Sequence, residues 1–253
     1  MEKNKKGKFI DQPLQLIENR RGRTLKQQSL LEELVRRGRV DSELLESNGL
    51  DFTEKENQVF DALLFFWSMS KLDEDSTFRF TPQELYEIVG CSSSTEKTRA
   101  LDALIQLEYK VRLIAYKTKI IPGRKKVLEK ATPYYVRTRC IHIAGFELDM
   151  EYVGRAPFDG ECKNLRYKLR KAHAIDVRFD PHIEKHMRIR TYFCRTFVDL
   201  GKRLRDLGVK TNAFNGVRNL YYFICEQAVR SSFKSNKYTF KYGTIVHLSL
   251  IHI

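Results

Sequence analysis

Two helix signals separated by a three-residue turn constrain this chain more than any other feature. In TPQELYEIVG (81–90), Thr81 stands where an N-cap belongs, Pro82 takes the first helical position, and Gly90 supplies the stop. The next stretch, GCSSSTEKTRALDALIQLEYK (90–110), starts a second helix at once. Ser93 followed by Glu96 is the pattern of a capping box, the reciprocal side-chain and backbone pairing that opens a helix. Ala100, Leu101, Leu104 and Leu107 then recur at helical spacing, and such a stripe is expected to be core. Two helices joined so tightly read as a helix-turn-helix.

The flanks extend that reading. Upstream, DFTEKENQVFDALLFFWSMS (51–70) predicts a helix capped by Thr53 with Glu56 three residues on. Its apolar face is Val59, Phe60, Leu63, Leu64 and Trp67, and STFRF then predicts a short strand. Downstream, VRLIAYKTK, the turn IIPGRKKVLEK and ATPYYVRTRCIHIAGFELD predict a β-hairpin around Pro122-Gly123. Helix, strand, helix, helix, strand, turn, strand is the winged-helix order, and it covers residues 52–148.

The expected class is α+β: a winged helix-turn-helix domain, a mixed linker region, and an incomplete second winged-helix domain. Residues 1–50 read as a basic arm, mobile to about residue 24, with a short amphipathic helix at 24–39. Residues 51–150 are the first winged domain. Residues 151–247 open with a basic stretch, ECKNLRYKLRKAHAIDVRF. A helix is expected from Asp180-Pro181 towards Leu207-Gly208, and another over Phe214–Ser231 after an Asn212 cap. NQVFDALLFFW…FRFTPQEL (57–85) parallels NGVRNLYYFIC…YTFKYGTIV (215–246), which suggests a second winged helix starting near 212. Two ordinary helix-strand junctions are the alternative. The final LSLIHI (248–253) can be encoded by CTG TCT CTT ATA CAC ATC, which resembles a transposase-adapter end. That tail is read as a sequencing artefact and left out of fold reasoning, against the alternative of a natural amphipathic strand.

Charge narrows the function. The formal net charge is +14, which favours a polyanionic partner, nucleic acid first. The distribution is uneven. Residues 40–109 hold fifteen acidic and five basic side chains, and residues 110–139 hold ten basic and one acidic. The basic hairpin is therefore the first candidate for phosphate contact, through Lys117, Lys119, Arg124, Lys125, Lys126 and Lys130. A merely soluble basic hairpin is the alternative. At the second helix of the pair, Ser92, Ser93, Ser94 and Thr95 offer hydroxyls and amides to a phosphate, while Lys97 and Arg99 are placed to reach base edges. Glu96, Asp102 and Glu108 share that helix, so it is expected to support, with contact from its first turn, while the wing binds. An acidic, apolar first domain also suits a homodimer. Lys163 to Lys210 interleaves Tyr167, Phe179, Tyr192 and Phe193 with cations, either a second backbone-tracking surface or solvated helix faces.

Other classes find less support. No apolar run approaches the roughly 20 residues of a spanning helix, so no membrane partner is expected. Five scattered cysteines without CxxC read as reduced thiols of a cytoplasmic protein. His182 and His186 stand at i and i+4, but no third metal ligand is evident. No His-x-His cluster accompanies the tyrosines as a nicking enzyme requires, and GRKK is no P-loop. No catalysis, cofactor or metal is expected.

With these segments in view, the chain resembles plasmid replication initiator proteins of the two-winged-helix type. The resemblance rests on FTEKENQVFDALLFFW, FRFTPQELYEIVG, RALDALIQLEY, the basic hairpin, VRFDPHI and FNGVRNLYYFI, over about residues 50–145 and, more loosely, 175–246. It implies binding of double-stranded DNA at origin repeats, recruitment of host replication proteins, a monomer–dimer switch, and no chemistry. A winged-helix transcriptional regulator and a metal-dependent nickase or relaxase are the alternatives.

Overall fold

The computed structural model describes residues 9–13, 16–17, 20, 50, 52–70, 76–117, 133–154, 160–188, 193–210 and 213–230. Helix α1 spans Glu54–Met69 and opens as expected: Thr53 N–H donates to Glu56 Oε2 at 2.7 Å, and Glu56 N–H donates to Thr53 Oγ1 at 3.2 Å. Val59, Phe60, Leu63 and Leu64 are buried and Trp67 partly so. Its polar side is buried as well, since Glu56, Asn57, Gln58 and Asp61 all lie in the interior. Helix α2, Pro82–Val89, has a complete Thr81–Glu84 capping box and ends on Gly90 at φ +74°, the left-handed conformation that glycine adopts without steric cost.

Helix α3, Ser94–Tyr109, forms where the stripe predicts, with Leu101, Leu104 and Leu107 fully buried. Its cap corrects one expectation. Ser93 Oγ accepts from Glu96 N–H, but the main hydrogen bonds of the Glu96 carboxylate are not to Ser93. It accepts from the backbone and hydroxyl of Ser92, at 2.7 and 2.8 Å. The carboxylate therefore closes the turn one residue earlier than a capping box would.

The strands follow an α+β plan. β2 (Phe78–Phe80), β5 (Ile141–Glu147) and β6 (Ala174–Phe179) form an antiparallel sheet in the order β2-β6-β5. β3 (Arg112–Lys117) pairs with β4 (Pro133–Thr138) as an antiparallel ladder, and β1 (Phe9–Pro13) pairs with β7 (Phe193–Phe197). The strand expected over 131–149 breaks at Arg139-Cys140, leaving β4 to the hairpin and β5 to the sheet. β6 alternates apolar and polar residues, so Ile175, Val177 and Phe179 all face the core. Phe66 stacks on Phe80 at 4.8 Å, and Phe179 meets Phe60 and Phe78 at 5.5 and 5.3 Å.

Three expectations change here. The strand between α1 and α2 pairs with β6, so the sheet joins residues on both sides of the boundary expected at 150/151. The single helix expected from 180 to 207 is two helices around a strand: α6 (Pro181–Arg188), β7, then α7 (Leu200–Asp206). The aromatic and β-branched run Phe193-Cys194-Arg195-Thr196-Phe197 favours a strand and wins over helical periodicity. The N-terminal arm contributes β1, with Ile10, Leu16, Ile17 and Arg20 buried. A short helix, α4 (Met150–Val153), leads to α5 (Glu161–Lys171), and α8 spans Phe214–Arg230, close to the bounds expected for it. The helix at 24–39, Asn212, the strand Tyr238–Phe240 and the tail Leu248–Ile253 lie outside the described residues.

Candidate nucleic-acid interface

The α2–α3 turn is the point where cations from distant parts of the chain meet. Ser92, Ser93, Ser94 and Thr95 are exposed there, as the sequence suggests. Helix α5 lies along α3 in the opposite direction, tied at three levels. Tyr109 OH donates to Glu161 Oε1 at 3.0 Å, Arg166 to Asp102 Oδ1 at 2.8 Å, and Arg170 to Ser94 Oγ at 3.5 Å. The basic end of α5 is thereby delivered to the first turn of α3. Lys97 joins it, with its ammonium 5.4 Å from the centre of the Tyr86 ring.

Helix α7 arrives from the other side. Arg205 Nη2 donates to the carbonyls of Val89 and Gly90, at 3.2 and 3.1 Å, and so covers the C-terminus of α2. The stem of Lys202 lies beside Gly90: a Cβ built there would stand 3.4 Å from Lys202 Cβ. Gly201 is what permits the approach, because a Cβ at that position would meet Gln58 Nε2 at 2.3 Å. Lys55, at the start of α1, donates to Gln58 Oε1 at 2.9 Å. Burial lowers the pKa of Lys55, the charge of Arg205 lowers it further, and the nearby Glu96 and Glu54 oppose the shift.

The result is a collar of Lys55, Lys97, Arg170, Lys202 and Arg205 around an exposed serine-rich helix start. Glu96 is the acid inside it, and its pKa is lowered, chiefly by the hydrogen bond from the Ser92 amide. Like charges gathered in this way repel one another, and an anion placed among them relieves that repulsion. A helix N-terminus adds amides and a favourable dipole for the same anion.

Sequence reasoning placed Ser93, Ser94, Lys97 and Arg99 at this helix start, and the structure places them there. Ser93 is committed to its cap and Ser94 to Arg170, while Arg99 is exposed on the next turn. Lys55, Arg170, Lys202 and Arg205 were missed as partners of this turn. The signal that pointed to three of them was the basic block Lys163–Lys210. The hairpin ladder is present in β3 and β4, but the Lys117 side chain and residues Lys119, Arg124, Lys125, Lys126 and Lys130 lie outside the described residues.

The acidic residues of α1, part of the acidic block 40–109, are largely neutralised inside the protein. Arg218 of α8 donates to Glu54 Oε1 at 2.7 Å and to Asp61 Oδ2 at 2.9 Å. Arg20 donates to Asp61 Oδ1 and to Gln12 Oε1, both at 2.7 Å, and Gln12 donates to Thr196 Oγ1 at 2.6 Å. Arg112 at the head of β3 pairs with Glu56, both side chains buried. These contacts hold β1, β3, β7 and α8 against α1 and leave fewer acids to oppose a polyanion.

Among the described residues, no group of three His, Cys, Asp or Glu side chains gathers as a metal site, and no helix is long and apolar enough to cross a membrane. The His186 side chain lies outside the described residues. Comparison with protein-family models, curated proteins and solved structures finds no match.

Proposed function

We propose that this protein binds double-stranded DNA without cutting it and acts in the cytoplasm as a replication initiator at origin repeats of a plasmid or phage-like replicon. The observation that carries the DNA-binding part is the collar. Four separate helices bring cations to the exposed start of α3, where they outnumber the acid Glu96. Duplex DNA offers a line of phosphates, and each Lys or Arg that neutralises one releases a condensed counterion. In this reading the first turn of α3 sits on the backbone, and Arg99 and Lys97 lie nearest to base edges. In the same reading Arg124, Lys125 and Lys126, which lie between β3 and β4 in the sequence, extend the contact along the duplex.

The initiator part rests on the element order over residues 52–148, the stretches FTEKENQVFDALLFFW and FRFTPQELYEIVG, and the likeness of 215–246 to 57–85. A homodimer through the first winged-helix domain and recruitment of host replication proteins belong to the same proposal. Footprinting on the DNA that flanks the gene tests it. Protection of direct repeats beside an AT-rich tract is the expected result. Protection of a promoter in a metabolic operon would mark a transcriptional regulator instead. Divalent-metal-dependent nicking of the same DNA would mark a nickase.

A further inference from the structure

Cys194 and Cys225 stand 31 residues apart in sequence and meet in the fold. Cys194 lies in β7 and is 4% exposed, and Cys225 lies in α8 and is half-buried. Both belong to one small cluster with Ile17, Tyr221 and Tyr222, separate from the main core. Their side chains pack in that one cluster, where the helix 214–230 lies against the strand 193–197. The two elements are also held in register beside them, because the Phe197 amide donates to Tyr221 OH at 3.2 Å. Tyr221 and Cys225 are one helical turn apart and face the same strand.

We propose that Cys194 and Cys225 form a reversible disulfide that staples α8 onto β7 when the protein meets an oxidised low-molecular-weight disulfide such as oxidised glutathione. The inference is independent of the DNA-binding reading and uses none of its residues. Cys225 is the entry point, since it is the more accessible thiol of the two. Its pKa is lowered from the ordinary thiol value, first by the hydrogen bond to Cys194 and then by that to Tyr221, with burial opposing, which favours its thiolate. Cys140, by contrast, is fully buried and its thiol is pushed up to about 11 by that burial. Burial raises the Cys91 thiol as well.

The exchange balances as follows. The Cys225 thiolate attacks one sulfur of oxidised glutathione, forming a mixed disulfide and releasing one glutathione thiolate, which takes up a proton. Cys194 gives its proton to solvent, and its sulfur attacks Sγ of Cys225. The second glutathione leaves as thiolate and is protonated. Two protein thiols are oxidised, and one glutathione disulfide is reduced to two thiols. The consequence is a covalent tie on the helix that carries Arg218 and Tyr222 into the buried network around Asp61.

The test uses the reduced full-length chain, treated with oxidised glutathione, unfolded, and titrated for free thiols. The expected loss is two of the five thiols. Peptide mapping should find Cys194 joined to Cys225, and dithiothreitol should restore both. Amide exchange over residues 214–230 should slow in the oxidised form. Retention of all five thiols, or glutathione on Cys162 with Cys194 and Cys225 both still alkylated, would overturn the proposal. In Cys194→Ser, the glutathione adduct should persist on Cys225 because the second thiol is gone; an unmodified Cys225 there would overturn its role as the attacking group. The mapping on the unmodified chain decides the matter even if that variant does not fold.

Discussion

Arg218 reaches across 157 residues of sequence to place its guanidinium 2.9 Å from the carboxylate of Asp61, with both side chains 1% exposed. The same carboxylate receives Arg20 through its other oxygen. One acid on α1 therefore fastens the N-terminal segment and α8 to the helix that stands behind the α2–α3 turn. The α1 helix, which carries Lys55 of the collar, is thus held by a buried ionic joint in addition to the apolar core.

Asp61→Ala should be among the most damaging single changes in the chain. It leaves two buried guanidinium groups short of a counter-charge, a change that costs about 3–5 kcal/mol when a buried pair is broken from one side. Urea unfolding should show a lower midpoint with an unchanged slope. Asp61→Asn, which keeps one of the two acceptor oxygens and loses the charge, should fall between the parent and Asp61→Ala. A midpoint within error of the parent would show that Glu54, Gln12 and Asn57 suffice to hold the two arginines.

Gly90→Ala should cost about 1–3 kcal/mol, because a non-glycine residue is strained at φ +74°. Its Cβ would also stand 2.8 Å from Arg205 Nη2. In an Arg205→Ala background the second part of the penalty disappears. The double-mutant cycle should therefore show a coupling of at least about 0.5 kcal/mol. Strict additivity would mean that backbone strain alone sets the cost.

Glu96→Gln should tighten DNA binding at low salt by up to about fivefold, the effect of removing one exposed counter-charge worth roughly 1 kcal/mol at most. It should also change the acid limb of stability. The folded-state pKa of Glu96 is lowered by the Ser92 amide, so its contribution is present above the unfolded value and is lost as pH falls through the folded one. The variant should lack that component, and chemical unfolding between neutral and acidic pH would show it.

His173 contributes in the opposite direction. Its ring nitrogen lies 2.9 Å from Asp149 Oδ1, and that hydrogen bond, together with the aspartate charge, raises its pKa above the ordinary histidine value. A raised folded pKa gives a contribution that is full below the unfolded value and disappears as pH rises through the folded one. NMR titration should return the imidazole towards its ordinary value in Asp149→Asn. An unmoved titration would remove Asp149 as the cause.

The helices between Thr53 and Tyr109 could be read from local signals. Thr53, Thr81, Pro82 and Gly90 mark helix ends through contacts within four residues, and the stripe Leu101, Leu104, Leu107 names its own buried face. What local patterns do not carry is pairing at long range. The run Ala174–Phe179 alternates like a strand, yet nothing in it says that it lies between β2 and β5. The acid count of residues 40–109 gives no sign that Glu54, Glu56 and Asp61 are paired, because their partners Arg218, Arg112 and Arg20 are 41 to 164 residues away. The candidate site was half legible for the same reason. Ser93, Ser94, Lys97 and Arg99 mark themselves by position on a helix, whereas Arg170, Lys202 and Arg205 reach the turn only through the packing of α5 and α7.

The salt dependence of duplex binding tests the central claim most directly. The purified protein should retard duplex DNA at low ionic strength, with log K falling linearly in log salt. Lys97→Ala/Arg170→Ala/Lys202→Ala should make that line shallower by about 0.9 for each phosphate no longer neutralised, and so should Arg124→Ala/Lys125→Ala/Lys126→Ala. An unchanged slope in the first triple variant, with its fold intact, would take the collar off the DNA-binding surface. A parent protein that retards no duplex at low salt would contradict the account altogether.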